Sequence, residues 1–153
     1  MTAKTPEIAD TATDEWLRAR PGEQFSIRVP ASATNGAYSI TEIISSPGDS
    51  TPIHLHEKED EHMLVLEGTV RVLYGDKTFD ATAGTVISLD RGIQHAWGNP
   101  TDTPIRLIVT ATPGGCEEAL RLIAKGGDQV DILAIARRFS VKQLGPPLLS
   151  AAR

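Results

Sequence analysis

Residues 48–68 of the chain read GDSTPIHLHEKEDEHMLVLEG and hold three of its four histidines. His54 and His56 lie two residues apart in a strand-like stretch, so their side chains are predicted to point to the same face of a β-sheet. Glu61 follows after a charged loop and begins the next strand pattern, which would bring its carboxylate alongside the two rings. Neutral imidazole is the commonest metal ligand in proteins, and this spacing therefore points to a metal site.

Each of these residues also has an ordinary structural interpretation. A His-x-His pair on a strand is more often solvated or hydrogen-bonded than bound to a metal. Residues 57–61 form a charged run that is typical of a solvated loop, with Glu61 as one of its members. His62 is expected to point away from Glu61, because successive side chains alternate along a strand. His95 begins a later strand pattern and is a further candidate ligand, and the residues by themselves leave both interpretations open.

Short strand patterns separated by turn residues recur on both sides of this segment. They cover residues 24–29, 37–45, 53–56, 62–66, 69–74, 78–79, 85–89, 95–98 and 104–112. Gly75-Asp76 is typical of a tight hairpin turn, because glycine adopts the positive φ that such turns need. Many short strands with turn signals between them predict an all-β sandwich or barrel.

The pattern becomes helical after Pro113-Gly114-Gly115. A first helix is predicted over residues 117–125 and a second over residues 132–139, with Asp128 as a candidate cap. Gly145-Pro146-Pro147 excludes a regular helix beyond them and predicts a docked or loose tail. The predicted organisation is an N-terminal extension at residues 1–22, a barrel core at 23–113, and a helical segment with a tail at 114–153.

Length and composition indicate one globular domain in a reducing compartment. The chain has 153 residues, of which 40% are hydrophobic and 23% charged. A net charge of −5 argues against nucleic acid or an anionic membrane as a partner. Cys116 is the single cysteine, which excludes an internal disulfide and a cysteine-based zinc site. With no targeting or membrane-spanning pattern in the sequence, we expect a soluble cytoplasmic protein.

The spacing of glycine, histidine and glutamate residues resembles the cupin superfamily in two motifs. The first comprises Gly48, His54, His56, Glu61 and Gly68, and the second comprises Gly84, Asp90, Gly92, His95 and Asn99. Asp90 stands where the family usually has a proline. The resemblance implies an all-β fold, the cupin double-stranded β-helix or jelly-roll barrel, with the C-terminal α-helices packed outside it.

The same resemblance implies a metal centre inside the barrel. The ligand positions of the family fall on His54, His56, Glu61 and His95. Three imidazoles and one carboxylate suit one divalent transition metal ion, and the sequence does not choose among Fe, Mn, Ni, Co, Cu and Zn. Coordination positions left open by the protein would accept an oxygen-bearing substrate, O2 or water.

Further segments resemble the quercetin 2,3-dioxygenase-like branch of single-domain cupins. They are VLEG at 65–68, HAWGN at 95–99, TPGG at 112–115 and LGPP at 144–147. Met63, Leu64 and Cys116 stand where that branch usually has aromatic residues, which argues against a flat flavonol substrate. The resemblance implies a metal-dependent dioxygenase that acts on a small enolisable or hydroxylated organic substrate, with Glu61 as the catalytic base.

Two other functions fit the same residues. A metal-dependent isomerase, cyclase or decarboxylase needs the same Lewis acid and no O2, and a ligand-binding cupin needs no turnover at all, since a fold does not fix a function.

The sequence also gives predictions about the pocket and the assembly. Tyr38, Met63, Gln94 and Trp97 are candidate pocket residues, for each of which plain core packing is an equal alternative. A homodimer is predicted, because cupin barrels commonly pair through a sheet edge and an exposed edge needs protection.

Overall fold

The computed structural model describes residues 5, 6, 8 and 14–149, which form ten β-strands and two α-helices. The strands are β1 (Glu23–Val29), β2 (Ser39–Ser45), β3 (Pro52–His56), β4 (Asp60–Glu67), β5 (Thr69–Tyr74), β6 (Lys77–Thr82), β7 (Val86–Leu89), β8 (His95–Gly98), β9 (Ile105–Thr112) and β10 (Val141–Pro147). The helices are α1 (Glu117–Gly126) and α2 (Ile132–Arg138). Neither described helix has the length and apolar character that crossing a membrane requires.

The described strands form two five-stranded antiparallel sheets that pack against each other. One sheet has the order β1-β2-β9-β4-β7 and the other has the order β10-β3-β8-β5-β6. Consecutive strands β3 and β4 lie in opposite sheets, so the chain crosses repeatedly from one layer to the other. This is a jelly-roll barrel with helices at its C-terminal side, and it confirms the predicted all-β fold class.

The core lies between the two sheets, where alternate residues of each strand point inward. In β4, Met63 and Val65 are each 1% exposed, whereas Leu64 between them is less buried. Leu107 of β9, which lies opposite Val65, is completely buried. Burial of a large apolar side chain contributes about 1.5–3 kcal/mol to folding. The alternation that fills the core also places Glu61, two residues before Met63, on the inner face.

The C-terminal segment contains a strand that the sequence pattern did not predict. The start of the predicted tail, Gly145-Pro146-Pro147, is the end of β10, which pairs antiparallel with β3 so that Val141 lies opposite His56. β10 is an edge strand, where proline is tolerated because one side of the strand needs no hydrogen-bond donors. The cap of α2 also differs from the prediction, since the side chain of Asp131, and not that of Asp128, accepts a hydrogen bond from Ala134 N at 2.9 Å.

Glu117 attaches α1 to the barrel. Its side chain is buried, and its two carboxylate oxygens accept hydrogen bonds from the backbone amides of Ala31 and Gly115, each at 2.7 Å. We expect Glu117→Ala to lower the free energy of unfolding by about 2 kcal/mol, because two amides lose a charged acceptor. Urea unfolding at neutral pH measures the change.

Glu118 provides a matched control for this substitution. It is the next residue of the same helix, and its carboxylate pairs with Arg121 at 3.4 Å on the surface. Glu118→Ala is expected to cost less than about 0.5 kcal/mol, since exposed ion pairs contribute little. Equal losses in the two variants would show that Glu117 is not an anchor.

Candidate metal centre

The strand register brings the four predicted ligands to one place inside the barrel. His54 of β3 and His95 of β8 lie directly opposite each other in neighbouring strands. His56 lies two residues further along β3, on the same face. Glu61 belongs to β4 in the other sheet, so its carboxylate reaches the rings across the space between the layers.

The side chains form a close cluster. One ligand atom from each of His54, His56, Glu61 and His95 can be chosen so that all four lie within 4.8 Å of one another. Glu61 Oε2 lies 3.1 Å from His95 Nε2, and Glu61 Oε1 lies 3.5 Å from His56 Nε2. The centroids of the three imidazole rings are separated by 4.5–5.6 Å. Four potential donors therefore surround one small volume.

Contacts at Nδ1 orient the rings so that their Nε2 atoms are available. His54 Nδ1 lies 2.7 Å from the carbonyl oxygen of Pro52, and His95 Nδ1 lies 3.3 Å from that of Ile93. An Nδ1–H that donates to a carbonyl leaves a lone pair on Nε2, which is the usual arrangement of a metal-binding histidine. His56 Nδ1 lies 3.4 Å from Glu59 Oε2. The Nε2 atom of His95 is buried and has no hydrogen-bond partner among the described residues.

The electrostatics of His54 and Glu61 favour the forms that bind a metal ion, whereas at His56 the effect of burial is outweighed by Glu61 and Glu59, which raise the pKa of that ring. Burial, reinforced by the neighbouring His95 and His56 rings, lowers the pKa of His54 to about 4. Burial alone would raise the pKa of Glu61, but the adjacent His56 and His95 rings outweigh it and hold that pKa well below its ordinary value. A neutral imidazole and an ionised carboxylate are the forms that bind metals. The donor set therefore fits a divalent transition metal ion, and the four residues could hold one.

A cavity of about 290 Å³ adjoins the cluster. His54, His56 and Glu61 face it directly, and Met63 and Trp97 are also among its lining residues, where the sequence placed them. The helices close one side through a set of apolar side chains, which comprises Ala119, Leu120, Ile123, Ile132 and Ala136. The cavity is therefore largely apolar, with the ligand cluster as its most polar part.

The other two candidate pocket residues lie elsewhere. Tyr38 is 41% exposed and lies in the turn before β2, where its amide donates to Thr34 Oγ1 at 3.1 Å. Gln94 is exposed, and its side-chain amide donates to the carbonyl of Gly75 at 2.8 Å. Both residues precede a strand, outside the regular alternation that turns side chains inward. Neither is among the described residues that line the cavity.

The sequence patterns predict no role in the site for two residues that lie near the cluster. Glu59 is 7% exposed and lies beside His56, although its position in a charged run is typical of a solvated loop. Cys116 lines the cavity at the start of α1, and burial, followed by the charge of Glu61, raises the pKa of its thiol well above the ordinary value. Cys116, Leu120 and Ile123 lie at helical spacing and all line the cavity, and this spacing is a signal that could have shown which face of α1 is turned to it.

A comparison with family models identifies what this region is similar to. Residues 42–111 match the family model described as "Cupin domain". The matched region is similar to a cupin domain and contains all four clustered side chains, so the cluster does not lie in an added segment.

Curated proteins are similar in sequence to parts of this chain. Over 71 residues the chain is 37% identical to mannose-1-phosphate guanylyltransferase 2 of Escherichia coli O157:H7, a match that covers 46% of this chain and 15% of that protein. Over 115 residues it is 25% identical to polyketide synthase CurC of Streptomyces cyaneus, covering 74% of this chain and 73% of that protein. The chain thus spans only a small part of the first relative and most of the second.

Solved cupin structures share the fold at low sequence identity. KdgF from Halomonas sp. superposes with a TM-score of 0.66 at 15% identity, covering 72% of this chain and 98% of that one. The polyketide cyclase RemF from Streptomyces resistomycificus superposes with a TM-score of 0.58 at 21% identity, covering 73% and 80%. These similarities establish the architecture of the cupin and leave its chemistry to the residues of the site.

Proposed function

We propose that this cupin is a metal-dependent dioxygenase that acts on a small, largely apolar organic substrate with an enolisable carbonyl or a hydroxyl group. The observation that carries the proposal is the position of the cluster, because His54, His56 and Glu61 face a cavity large enough for an organic molecule. Convergent polar groups in an apolar cavity are the usual form of a small-molecule site.

His54, His56, Glu61 and His95 would hold one divalent transition metal ion. When bound, such an ion supplies Lewis acidity, which lowers the pKa of a substrate hydroxyl and polarises a carbonyl. The carbonyl contacts at Nδ1 of His54 and His95 keep the rings in the orientation that ligation needs. The apolar wall excludes water and so strengthens electrostatic interactions at the cluster.

We assign the acceptance of the substrate proton to Glu61. Its carboxylate lies at the cavity surface beside the rings, and the histidines keep it ionised. Glu117 also lines the cavity, but both of its oxygens already accept backbone hydrogen bonds. Glu61 is therefore the carboxylate at the cluster with the geometry of a general base.

The charges around the cavity favour a neutral substrate. Arg20 is the single Lys or Arg side chain among the described lining residues. Its guanidinium already pairs with Asp49 at 2.9 and 3.0 Å and with Glu23 at 2.8 Å. A phosphate or a small dicarboxylate would need free guanidinium groups for charge-assisted hydrogen bonds. An apolar compound with few oxygen atoms fits better.

A metal-dependent cyclase is the second candidate. Polyketide synthase CurC is one sequence relative that this chain spans over most of its length, and the polyketide cyclase RemF is one fold relative. Cyclisation of an enolisable chain needs the same ligands and base but consumes no O2. An elongated apolar cavity suits either reaction.

Oxygen consumption tests the proposal. Protein loaded separately with Fe(II), Mn(II), Ni(II) or Co(II) is incubated with β-diketones and hydroxylated aromatic compounds in an oxygen electrode. We expect O2 uptake that ceases on chelation and that Glu61→Gln slows. Glu57→Gln is the matched control, because Glu57 lies in the same charged run but pairs with Lys142 on the surface at 2.9 Å. Metal-dependent turnover without O2 would instead support the cyclase, and binding without turnover would overturn both.

A further inference from the structure

The cavity has a second polar group at the end remote from the metal ligands. Glu23 of β1 and Arg20 line that end, and the Arg20 guanidinium lies over the Trp97 ring at 5.2 Å from its centroid. The proposed reaction uses none of these groups. Their chemistry therefore bears on which substrate the cavity accepts.

The strand register separates this group from the metal ligands along the barrel. Glu61 lies opposite Ala111, which lies opposite Ser39 at the start of β2. Glu23 lies opposite Ser45 at the other end of β2. Six residues of strand correspond to roughly 20 Å at about 3.3 Å per residue. One continuous cavity thus has the ligand cluster at one end and Glu23 at the other.

Helix α1 runs along the same cavity. Its cap, Cys116, lines the cavity near Glu61, whose charge acts on the thiol. Ile123, near its last turn, lines both this cavity and the adjoining surface groove that Arg20 shares. The helix therefore forms one long apolar wall between the two polar ends.

Glu23 has one carboxylate oxygen without a partner. The residue is 1% exposed, and its Oε2 pairs with Arg20 Nη2 at 2.8 Å. Oε1 is buried and accepts no hydrogen bond from any described residue. Burial raises the pKa of this carboxyl in spite of the guanidinium beside it. A buried acceptor without a donor is costly, and a ligand that supplies the donor removes that cost.

Arg20 cannot turn to satisfy this oxygen. Its Nε and Nη2 donate to the two carboxylate oxygens of Asp49, and its Cζ lies over the Trp97 ring. Such a bidentate pair fixes the guanidinium in one orientation. The partner for Glu23 Oε1 must therefore come from the contents of the cavity.

We propose that Oε1 of Glu23 accepts a hydrogen bond from a hydroxyl group at the end of the substrate remote from the metal ligands. The inference rests on the proposed function and narrows its substrate class. The substrate is an elongated apolar molecule with a metal-binding oxygen function at one end and a hydroxyl at the other.

Three hydroxamic acids serve as probes on the zinc-loaded protein. Each probe chelates zinc through its hydroxamate, and its alkyl chain ends in a hydroxyl, a methoxy or a methyl group. The three chains have the same length within a set, and sets of increasing chain length are compared. Calorimetry is expected to show that the hydroxyl probe binds the wild-type protein about tenfold more tightly than the methoxy probe. The methoxy oxygen can accept a hydrogen bond but cannot donate one. The ratio of the two affinities therefore reports whether the protein presents a hydrogen-bond acceptor at this position.

Glu23→Gln replaces the hydrogen-bond acceptor that faces the cavity with a donor. Because Arg20 Nη2 donates to the other oxygen, the glutamine presents its carbonyl to Arg20 and its NH2 to the cavity. The methoxy probe then finds a donor, and the ratio is expected to fall to near one. Glu117→Gln is the matched control, since Glu117 is also a buried carboxylate that lines the cavity, but both of its oxygens already accept backbone hydrogen bonds, so the ratio should persist.

Each result decides one of the two proposals. Equal binding of all three probes to the wild-type protein would overturn the role of Glu23 and leave the metal centre standing. Failure of every hydroxamate to bind would overturn the proposed function, and the inference with it. Loss of the ratio in Glu117→Gln as well as in Glu23→Gln would show an indirect effect of removing a buried carboxylate from the cavity, which would also overturn the role of Glu23.

Discussion

The His95→Ala variant is expected to bind a divalent transition metal ion at least about 100-fold more weakly than the wild-type protein, since even groups outside the coordination sphere contribute about 10–100-fold. His95 is 1% exposed, and its Nε2 lies 3.1 Å from Glu61 Oε2. Removal of the ring takes away one of four donors and leaves a space that alanine does not fill. Calorimetric titration of metal-stripped protein with Zn²⁺ or Ni²⁺ measures the affinity.

The same variant should lose the stabilisation that metal gives to the fold. Metal at about 100 times its Kd stabilises the native state by about 2.7 kcal/mol, and a variant with weaker affinity gains little at that concentration. His62→Ala is the matched control, because His62 is adjacent to Glu61 on β4 but bonds to Ser88 Oγ at 3.1 Å, outside the cluster. If His95→Ala kept the wild-type affinity, the four side chains would not be the metal site.

Side-chain alternation made much of this cluster predictable from the sequence. β3 is a regular strand, so His54 and His56 share a face as the period-two pattern indicates. Alternation along β4 places Glu61 on the same inner face as Met63 and Val65. This distinguishes Glu61 from the other acidic residues of the charged loop before it. The pairing of β3 with β8 joins distant parts of the chain, and no local pattern encodes it. The position of His95 therefore depended on the family resemblance.

The local sequence pattern did not predict features that depend on long-range contacts. β10 has glycine and two prolines among its seven residues, and it is a strand because β3 offers an open edge. Glu59 is part of a charged run, yet the turn from β3 to β4 folds it against His56. Glu23 follows a proline and a glycine, and only the register of β1 with β2 shows that it faces the cavity. Local composition predicts a solvent-exposed segment in each case, but tertiary contacts determine the structure that forms.

The homodimer, the cytoplasmic location and the division at residues 22 and 113 remain predictions. Sedimentation would check the first of these by a mass twice that of a single chain. Glu23 and the metal-ligand cluster line one cavity of a single chain, so the inferred substrate site uses residues of that chain.

Asn99, the last residue of the second motif, ties together three segments around the metal-binding strands. Its side-chain amide donates to the carbonyls of Ser45 and Thr103 at 2.9 and 2.8 Å. Its Oδ1 accepts from the backbone amide and the hydroxyl of Thr101, at 2.9 and 2.7 Å. Its backbone amide donates to the carbonyl of Asp49 at 2.8 Å, just before β3. The residue is completely buried, so water cannot replace these bonds.

Asn99→Ala is therefore expected to lower the free energy of unfolding by about 4 kcal/mol, since each buried group left without a partner costs about 1–3 kcal/mol. Urea unfolding followed by circular dichroism measures the loss. Gln94→Ala is the control, because Gln94 is exposed and makes one side-chain hydrogen bond, to Gly75, so its loss should cost less than about 1 kcal/mol. The effect should persist in metal-free protein, because Asn99 acts on the backbone between β2 and β3 and contacts none of the ligands. A loss similar to that of Gln94→Ala would mean that the loop is held by backbone contacts alone and that the family's asparagine is not a structural requirement in this chain.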